Sequence, residues 1–221
     1  MTLTGRTAIM SEIECSGLVA IIRADGGEVG PQRLVDTCKA LRDGGVRVSE
    51  ITMTSPGALD AIAKASDELA GECIIGVGSV LDAETARAAI LAGAQFVVAP
   101  TFNAEVLTMA HRYDKPIAPG ALTPTEIMTA WEAGADVVKI FPANHFGPRY
   151  FRDVLAPMPQ VKLMPTGGVN LDTAADWLAA GAAALGAGSA LVKKDLIAAG
   201  DWAALSALAS EFVQTVANAR V

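Results

Sequence analysis

Short apolar runs alternate with stretches rich in alanine and leucine along almost the whole chain. The runs are four to seven residues long, and several consist largely of valine and isoleucine, which is typical of strands buried on both faces of a sheet. The stretches between them commonly end at a glycine, which supplies the left-handed turn that closes a helix. Eight such runs occur, at Leu18–Arg23, Val46–Thr52, Cys73–Val77, Phe96–Ala99, Pro116–Pro119, Val137–Phe141, Val161–Met164 and Ala183–Gly186.

Eight strands that alternate with helices in 221 residues predict a compact (β/α)₈ barrel of the α/β class rather than an open doubly wound sheet. No linker, low-complexity tract or charge run indicates a second domain, so we expect residues 1–221 to form one domain. An amphipathic segment from about Thr4 to Ser16 predicts a short helix before the first strand. Functional side chains of such barrels lie at the C-terminal ends of the strands, and a site is therefore expected there.

Several predicted helices begin at residues that cap helices well. We expect Pro124 and Pro148 in first helical turns, and Thr123 to Glu126 has the pattern of a capping box. The N-caps predicted on this basis are Asp82, Asn103, Thr123 and Asn170.

The composition limits the partners and the compartment. A net charge of −7 disfavours nucleic acid and anionic membranes, although loop amides can still bind a small anion. No apolar run reaches the length that crosses a bilayer and no signal peptide opens the sequence, so we expect a cytoplasmic location. Cys15, Cys38 and Cys73 are odd in number and lack CxxC spacing, which predicts reduced thiols in the core. His111 and His145 are too far apart in sequence to indicate a metal site.

Lys139 is the least expected residue of its segment. It lies in Asp136–Pro142, an otherwise apolar strand, and lysine is seldom buried unless it is paired or functional. Burial favours the neutral amine, which is the form that attacks a carbonyl carbon to give a Schiff base. The alternative is a lysine at a strand end whose ammonium group extends to solvent.

Glu50 is a second exception, because acidic residues are depleted from strands. Next to a Schiff-base lysine it would move protons, with burial raising its pKa into a useful range. A structural ion pair with Arg47 or another cation is the alternative.

Glycine-rich segments follow the last two predicted strands. Thr166-Gly167-Gly168 and Gly186–Ser189 occupy positions at which many barrels bind phosphate, and bare amides in such loops approach an anion closely. Helices are expected to begin after Gly168 and after Gly188, which would add favourable dipoles. Either segment alone is a weak indication, because Gly-Gly is usually only a turn.

Other residues have simpler interpretations. His145 follows the sixth strand and is more typical of a solvated loop, and His111 is expected on a helix surface. The helical tryptophans are expected to serve packing or subunit contacts; they are Trp131, Trp177 and Trp202.

The strand-end residues together resemble the 2-keto-3-deoxy-6-phosphogluconate / 4-hydroxy-2-oxoglutarate aldolase family, class I lyases of the (β/α)₈ barrel type. The similarity extends from about residue 17 to about residue 215. Its most specific segments are Glu50-Ile-Thr, Gly76–Val80, Pro119–Glu126, Lys139–Pro142 and Pro165–Gly168.

The resemblance implies that Lys139 forms the Schiff base and that Glu50 moves protons. No metal or other cofactor is expected, because the protonated imine is itself the electron sink. A homotrimer is the implied assembly. The residues expected to contact the keto-acid substrate are Arg23, Thr52, Ser79, Pro119, Phe141 and Thr166, and those expected to bind its phosphate are Gly167, Gly168, Gly188 and Ser189.

Three positions depart from the family pattern. Many members have an arginine four residues after the glutamate, where it binds the substrate carboxylate, and this chain has Thr54 there. Ser79 replaces a threonine, and Ala143-Asn-His stands where some members have Ala-Glu. Arg23, at the end of the first strand, is expected to replace the missing arginine; a salt bridge from Arg23 to Glu50 is the alternative.

The implied reaction is reversible retro-aldol cleavage of a 2-keto-3-deoxy-6-phospho sugar acid to pyruvate and glyceraldehyde 3-phosphate. Glu50–Pro56 and Phe146–Tyr150 resemble the galactonate branch and Pro165–Gly168 the gluconate branch, so the configuration at C4 stays open. An aldolase for 4-hydroxy-2-oxoglutarate or another unphosphorylated keto acid is the alternative that uses the same lysine. A phosphosugar isomerase or epimerase is a second alternative, and it would need no lysine imine. A catalytically inactive barrel that serves as an assembly module is a third, and it would have no need of both Lys139 and Glu50.

Overall fold

The computed structural model describes residues 5–24 and 30–220. Helices and short parallel strands alternate along these two ranges. The strands are β1 (Leu18–Ile22), β2 (Val48–Thr52), β3 (Ile74–Gly78), β4 (Val97–Val98), β5 (Ile117–Ala118), β6 (Gly120–Ala121), β7 (Val138–Ile140), β8 (Leu163–Pro165) and β9 (Leu185–Ala187). The helices are α1 (Arg6–Ser16), α2 (Pro31–Asp43), α3 (Ala58–Glu68), α4 (Ala83–Leu91), α5 (Ala104–Arg112), α6 (Pro124–Glu132), α7 (Gly147–Leu155), α8 (Ala174–Ala179), α9 (Lys194–Ala199) and α10 (Trp202–Asn218).

The strands form one curved parallel sheet that closes on itself. One part runs in the order β5-β4-β3-β2-β1-β9, and the other in the order β6-β7-β8. Pairings of Leu163 with Ala182 and of Thr166 with Gly186 join β8 to β9. The segment β5 lies within the predicted strand Pro116–Pro119, whereas β6 lies beyond its predicted end. Pro119, which has no N–H to donate, separates the two segments. The predicted (β/α)₈ barrel is therefore confirmed.

Most of the predicted helix starts are correct. Asp82 and Asn103 accept backbone hydrogen bonds as N-caps, and Thr123 with Glu126 forms the predicted capping box. Pro124 and Pro148 lie in first turns as expected. The predicted start of α1 at Thr4 lies outside the described residues.

The N-cap predicted at Asn170 is wrong. Its side chain accepts a hydrogen bond from the Thr173 N–H at 2.9 Å, but this closes a separate turn. The helix α8 begins only at Ala174, with Thr173 at its N-cap position.

The core has two parts because successive side chains of a strand point to opposite faces. One part lies between the sheet and the surrounding helices. The other fills the lower barrel interior with residues such as Val19, Val48 and Phe96, and α1 covers it from below through Ile9 and Met10. The lower interior is thus a packed apolar plug, and only the upper interior is left for polar side chains.

Two sequence predictions about single side chains are corrected. Cys38 and Cys73 are free and buried, and burial raises the pKa of Cys73 to about 11, but Cys15 is exposed at the end of α1. His111 is half-buried rather than on the surface, with its Nε2 atom 3.6 Å from Asp136, and burial lowers its pKa.

The predictions for the remaining aromatic and loop residues agree with the structure. Trp177 is buried, Trp131 and Trp202 pack against the core, and His145 is exposed. None of the helices among the described residues is both long and apolar enough to cross a bilayer.

Candidate active site

The alternation of faces directs the predicted catalytic residues into the barrel. Val48 and Val137 belong to the apolar plug, and Glu50 and Lys139 come two residues later on the same strands. Both side chains therefore point inward, one layer above the plug. Thr166 follows β8 in the same register, and these three residues are only 1%, 5% and 7% exposed, respectively.

Glu50 is held in a weakly polar environment near two cations. Burial raises the pKa of its carboxyl, and the positive charges of Lys139 and Arg23 partly oppose that rise. The alternative ion pair with Arg47 is not formed, because Arg47 lies on the outside and pairs with Glu12 at 3.6 Å. Within residues 5–24 and 30–220, Arg23 also forms no ion pair with Glu50.

Lys139 is covered by an aromatic ring. Its Nζ atom lies 5.3 Å from the centroid of the Phe141 ring, and its backbone N–H donates to the Pro119 carbonyl at 2.9 Å. The side chain is therefore fixed inside the barrel mouth, and the alternative in which its ammonium group extends to solvent is wrong. Phe141 itself is 38% exposed and lines the cavity above Lys139.

A cavity of about 590 Å³ opens above this layer. It lies between the ends of β1, β8 and β9, where the predicted phosphate loops are. Seven of the predicted site residues line it, namely Arg23, Phe141, Thr166, Gly167, Gly168, Gly188 and Ser189.

The same cavity is lined by three polar residues that were not predicted to belong to the site. Asn170 contributes from the loop after β8, and Lys193 and Lys194 contribute from the start of α9. The available signal was the Lys193-Lys194 pair four and five residues after Ser189. A lysine pair at a helix start usually indicates only a solvated surface.

The two glycine loops approach the cavity with their backbones. Gly167 and Gly168 have φ of 95° and 76°, the left-handed region that favours glycine. Helices do follow both segments, but α8 begins only at Ala174 and α9 only at Lys194. The Gly168 carbonyl accepts from the Thr173 hydroxyl at 2.8 Å, and the Gly188 carbonyl closes a turn with the N–H of Val192 at 2.8 Å. Any anion here would meet loop amides and lysines rather than the ends of long helices.

Ser79 and Thr52 mark the ends of β3 and β2. Ser79 has φ of 58°, which is uncommon for a residue other than glycine and often occurs at functional sites. Thr52 is fully buried, and its hydroxyl lies 2.9 Å from the Thr54 hydroxyl and 3.3 Å from that of Ser55. The Ser55 hydroxyl in turn accepts from the Ala24 N–H at 3.0 Å. This chain of hydrogen bonds joins the ends of β1 and β2 next to Arg23.

Two buried polar atoms at the base of the site have no hydrogen-bond partner among the described residues. They are Oε2 of Glu50 and the hydroxyl oxygen of Thr166. Buried polar atoms are rarely left unpaired in folded proteins, so such atoms below a cavity indicate groups that a ligand would engage. In the described part of the chain, no three His, Cys, Asp or Glu side chains are grouped so that they could hold a metal ion.

Comparison with known proteins identifies the family. The profile of the family described as "Aldolase: KDPG and KHG aldolase" matches residues 9–208. The chain is 39% identical over 183 residues to the 2-dehydro-3-deoxy-phosphogluconate aldolase of Treponema pallidum, covering 82% of this chain and 87% of that protein. It is 35% identical to the 2-dehydro-3-deoxy-6-phosphogalactonate aldolase of Escherichia coli, covering 80% and 84%.

A solved structure gives the same result. The KDPG aldolase of Legionella pneumophila, with pyruvate captured at low pH as a covalent carbinolamine intermediate, superimposes with a TM-score of 0.83. That chain is 26% identical to this one, and the match covers 91% of this chain and 96% of the other. With this profile match, these relatives and an inward-facing Lys139 and Glu50, the chain belongs to the KDPG and KHG aldolase family.

Proposed function

We propose that this protein is a class I aldolase that cleaves a 2-keto-3-deoxy-6-phospho sugar acid, of the gluconate or galactonate type, to pyruvate and glyceraldehyde 3-phosphate. The observation that carries the proposal is the buried Lys139 beside the buried carboxyl of Glu50, beneath a cavity edged by two glycine loops. The names of the relatives support the substrate class. The pyruvate carbinolamine captured in the Legionella enzyme supports the chemistry.

The residues support the following sequence of steps. After Lys139 gives up a proton to solvent, its amine attacks the C2 ketone, and Glu50 carries protons as the carbinolamine loses water to give a protonated imine. Loss of the C4 hydroxyl proton to Glu50, directly or through water, allows the C3–C4 bond to break. The bond's electron pair enters the iminium and gives an enamine, while C4 becomes the aldehyde that leaves. Protonation of C3 and hydrolysis of the imine then release pyruvate and regenerate Lys139.

The substrate carboxylate is assigned to Arg23. This side chain lines the cavity, and its positive charge acts on the buried carboxyl of Glu50, which supports a carboxylate-binding role close to the reacting carbons. Replacement of Arg23 by lysine would remove the bidentate hydrogen bonding of a guanidinium to a carboxylate and leave only a point charge. We therefore expect Arg23→Lys to raise KM for phosphorylated and unphosphorylated keto acids by a similar factor. Unchanged KM values would reassign the carboxylate to Ser79 and backbone amides.

The phosphate is assigned to the two glycine loops of the same cavity, at Gly167, Gly168, Gly188 and Ser189. Lys193 and Lys194, at the start of α9, line the same cavity and favour a phosphorylated substrate over an unphosphorylated keto acid. We assign contacts near the reacting carbons to Thr166, Phe141 and Ser79. Thr52 and Pro119 were predicted to contact the substrate, but neither lines the cavity, and we assign them a supporting role. The Pro119 carbonyl accepts from the Lys139 N–H, and the Thr52 hydroxyl contacts that of Thr54.

Reductive trapping tests the proposal directly. Borohydride added with pyruvate should attach one pyruvate-derived group per chain at Lys139, measured by intact mass and peptide mapping. Lys139→Ala should abolish the adduct, and the control Lys162→Ala should retain it, because Lys162 is paired with Glu14 at the closed end of the barrel. An isomerase or epimerase would give no adduct. Loss of activity to a chelator in place of trapping would overturn both the imine and the expectation that no metal is needed.

We also propose that the protein assembles as a homotrimer in the cytoplasm. Support for assembly comes from large apolar side chains that remain exposed, among them Leu81, Leu91 and Phe146. Light scattering at micromolar concentration decides the subunit number, and a stable monomer would contradict this proposal.

A further inference from the structure

Strand β3 has glycine at two successive positions of its inward face. Ile74 of this strand belongs to the apolar plug, and the inward positions above it are Gly76 and Gly78. A methyl group at Gly76 would lie 2.3 Å from the nearest ring atom of Phe96. A methyl group at Gly78 would lie 1.7 Å from Oε1 of Glu50 and 2.4 Å from its carboxyl carbon. The two missing side chains thus make room for two neighbours, an aromatic ring in the plug and the carboxyl group of the site.

We infer that Gly78 is a positioning residue for catalysis, because the space left by its missing side chain fixes where the carboxyl group of Glu50 lies. The inference rests on the proposed function for its consequence in turnover. Its geometric content is independent of that function. The described glycines with left-handed φ do not include Gly78, so an alanine could adopt its backbone conformation. The glycine is required for space and not for conformation.

Space matters here because little else holds the carboxyl group. Oε2 of Glu50 has no hydrogen-bond partner among the described residues, so no bond of that atom directs it. The remaining constraints are the nearby charges of Lys139 and Arg23 and the flat surface that Gly78 provides. A displacement of about 1 Å in a catalytic group is enough to lower rates by roughly 10²-fold.

The two glycines should respond differently to the same substitution. In Gly78→Ala the clash falls on the free end of a flexible side chain, so the carboxyl group can swing away while β3 stays in place. In Gly76→Ala the clash falls on a ring that is 3% exposed and enclosed by the plug, so the barrel itself must adjust. Gly76→Ala is therefore a matched control on the same strand and face.

A double-mutant cycle measures the effect on chemistry. We expect Gly78→Ala to lower kcat by roughly 10²-fold with little change in KM, because the proton carrier is displaced but the binding residues are not. In a Glu50→Gln background the same substitution should cost less than about threefold, since the group that it displaces no longer carries protons. Gly76→Ala, whose clash does not involve Glu50, should lower kcat by the same factor in both backgrounds. An unchanged kcat in Gly78→Ala, or an equal loss with and without Glu50→Gln, would overturn the inference.

A second cycle uses thermal unfolding and needs no activity. The substitution Glu50→Ala removes the side-chain atoms that a methyl group at position 78 would meet. Gly78→Ala should therefore lower the midpoint of thermal unfolding less in the Glu50→Ala variant than in the wild type. If Gly78→Ala alone does not fold, recovery of folding in the double variant supports the steric pairing, and failure of both variants contradicts it. Wild-type enzyme that traps no pyruvate would refute the proposed function and leave this second cycle as the test of the geometry.

Discussion

Among single residues, Glu50 has the clearest dependence on pH. Burial raises the pKa of its carboxyl, so the folded state favours the protonated form more than the unfolded state does. The stability linked to this shift is fully present below the ordinary carboxyl pKa and is lost as the pH rises through the raised value. Above that value the folded protein contains a buried carboxylate that Lys139 and Arg23 offset only in part.

Replacement of this carboxyl should therefore stabilise the protein in a pH-dependent way. We expect Glu50→Gln to have a larger free energy of unfolding than the wild type at about pH 8, and the difference to shrink towards about pH 4, where Glu50 is protonated. Urea denaturation at several pH values measures this. A variant that is less stable than the wild type at pH 8 would show instead that the two cations fully compensate the buried charge.

Lys139 and Glu50 were predictable because each residue type conflicts with the strand in which it stands. Gly78 was not, since the reason for a glycine there is a side chain that arrives from another strand. The same limit applies to Lys193, whose distance from the phosphate loops depends on how the chain folds after β9. A sequence thus reveals a residue whose type is unusual for its own strand or helix more readily than a residue whose role depends on contacts with another strand.

At the level of elements, the two phosphate loops differ in how much they depend on glycine. Gly168 has a left-handed backbone, and a methyl group there would lie 2.7 Å from Cβ of Asn144. Gly188 has no heavy atom within 4 Å of the same position. We expect Gly168→Ala to lose about 1–2 kcal/mol from the backbone alone, and Gly188→Ala to keep nearly the wild-type unfolding free energy.

Gly188→Ala is consequently the cleaner probe of phosphate binding. It should raise KM for the phosphorylated keto acid and leave KM for the unphosphorylated one unchanged, because only the former reaches this loop. Steady-state kinetics on both substrates, alongside chemical denaturation, separates the two effects. Equal changes in both KM values would remove Gly188 from the phosphate site.

Strand and helix types were predictable from apolar spacing and capping residues, as at Asp82 and Thr123. The errors lie where side chains hydrogen-bond to nearby backbone. Asn170 and Thr173 close a turn of their own and delay α8, and such local bonds compete with helix formation in ways that spacing does not reveal.

For the whole molecule, the charge of the protein and the charge of its cavity have opposite signs. The net charge is −7, which repels a phosphorylated keto acid. Among the described residues that line the cavity, Arg23, Lys193 and Lys194 are cationic and none is acidic. Local cations in a cleft can concentrate an anionic ligand even when the protein as a whole is negative. The net charge can be read from the composition, whereas the cationic lining of the cavity required the fold to bring β1 and α9 together.

This arrangement predicts a salt-dependent role for Lys193. We expect Lys193→Met to raise KM for the phosphorylated substrate roughly 1.4- to fivefold at low salt, since an exposed charge pair contributes about 0.2–1 kcal/mol. The effect should disappear near 1 M salt, where screening acts within about 3 Å. Lys64→Met on the exposed face of α3 is the matched control, because it changes the net charge equally far from the cavity. If both variants raise KM to the same extent, net charge and not Lys193 governs substrate capture; if only Lys193→Met does so, the cavity's own cations select the phosphate.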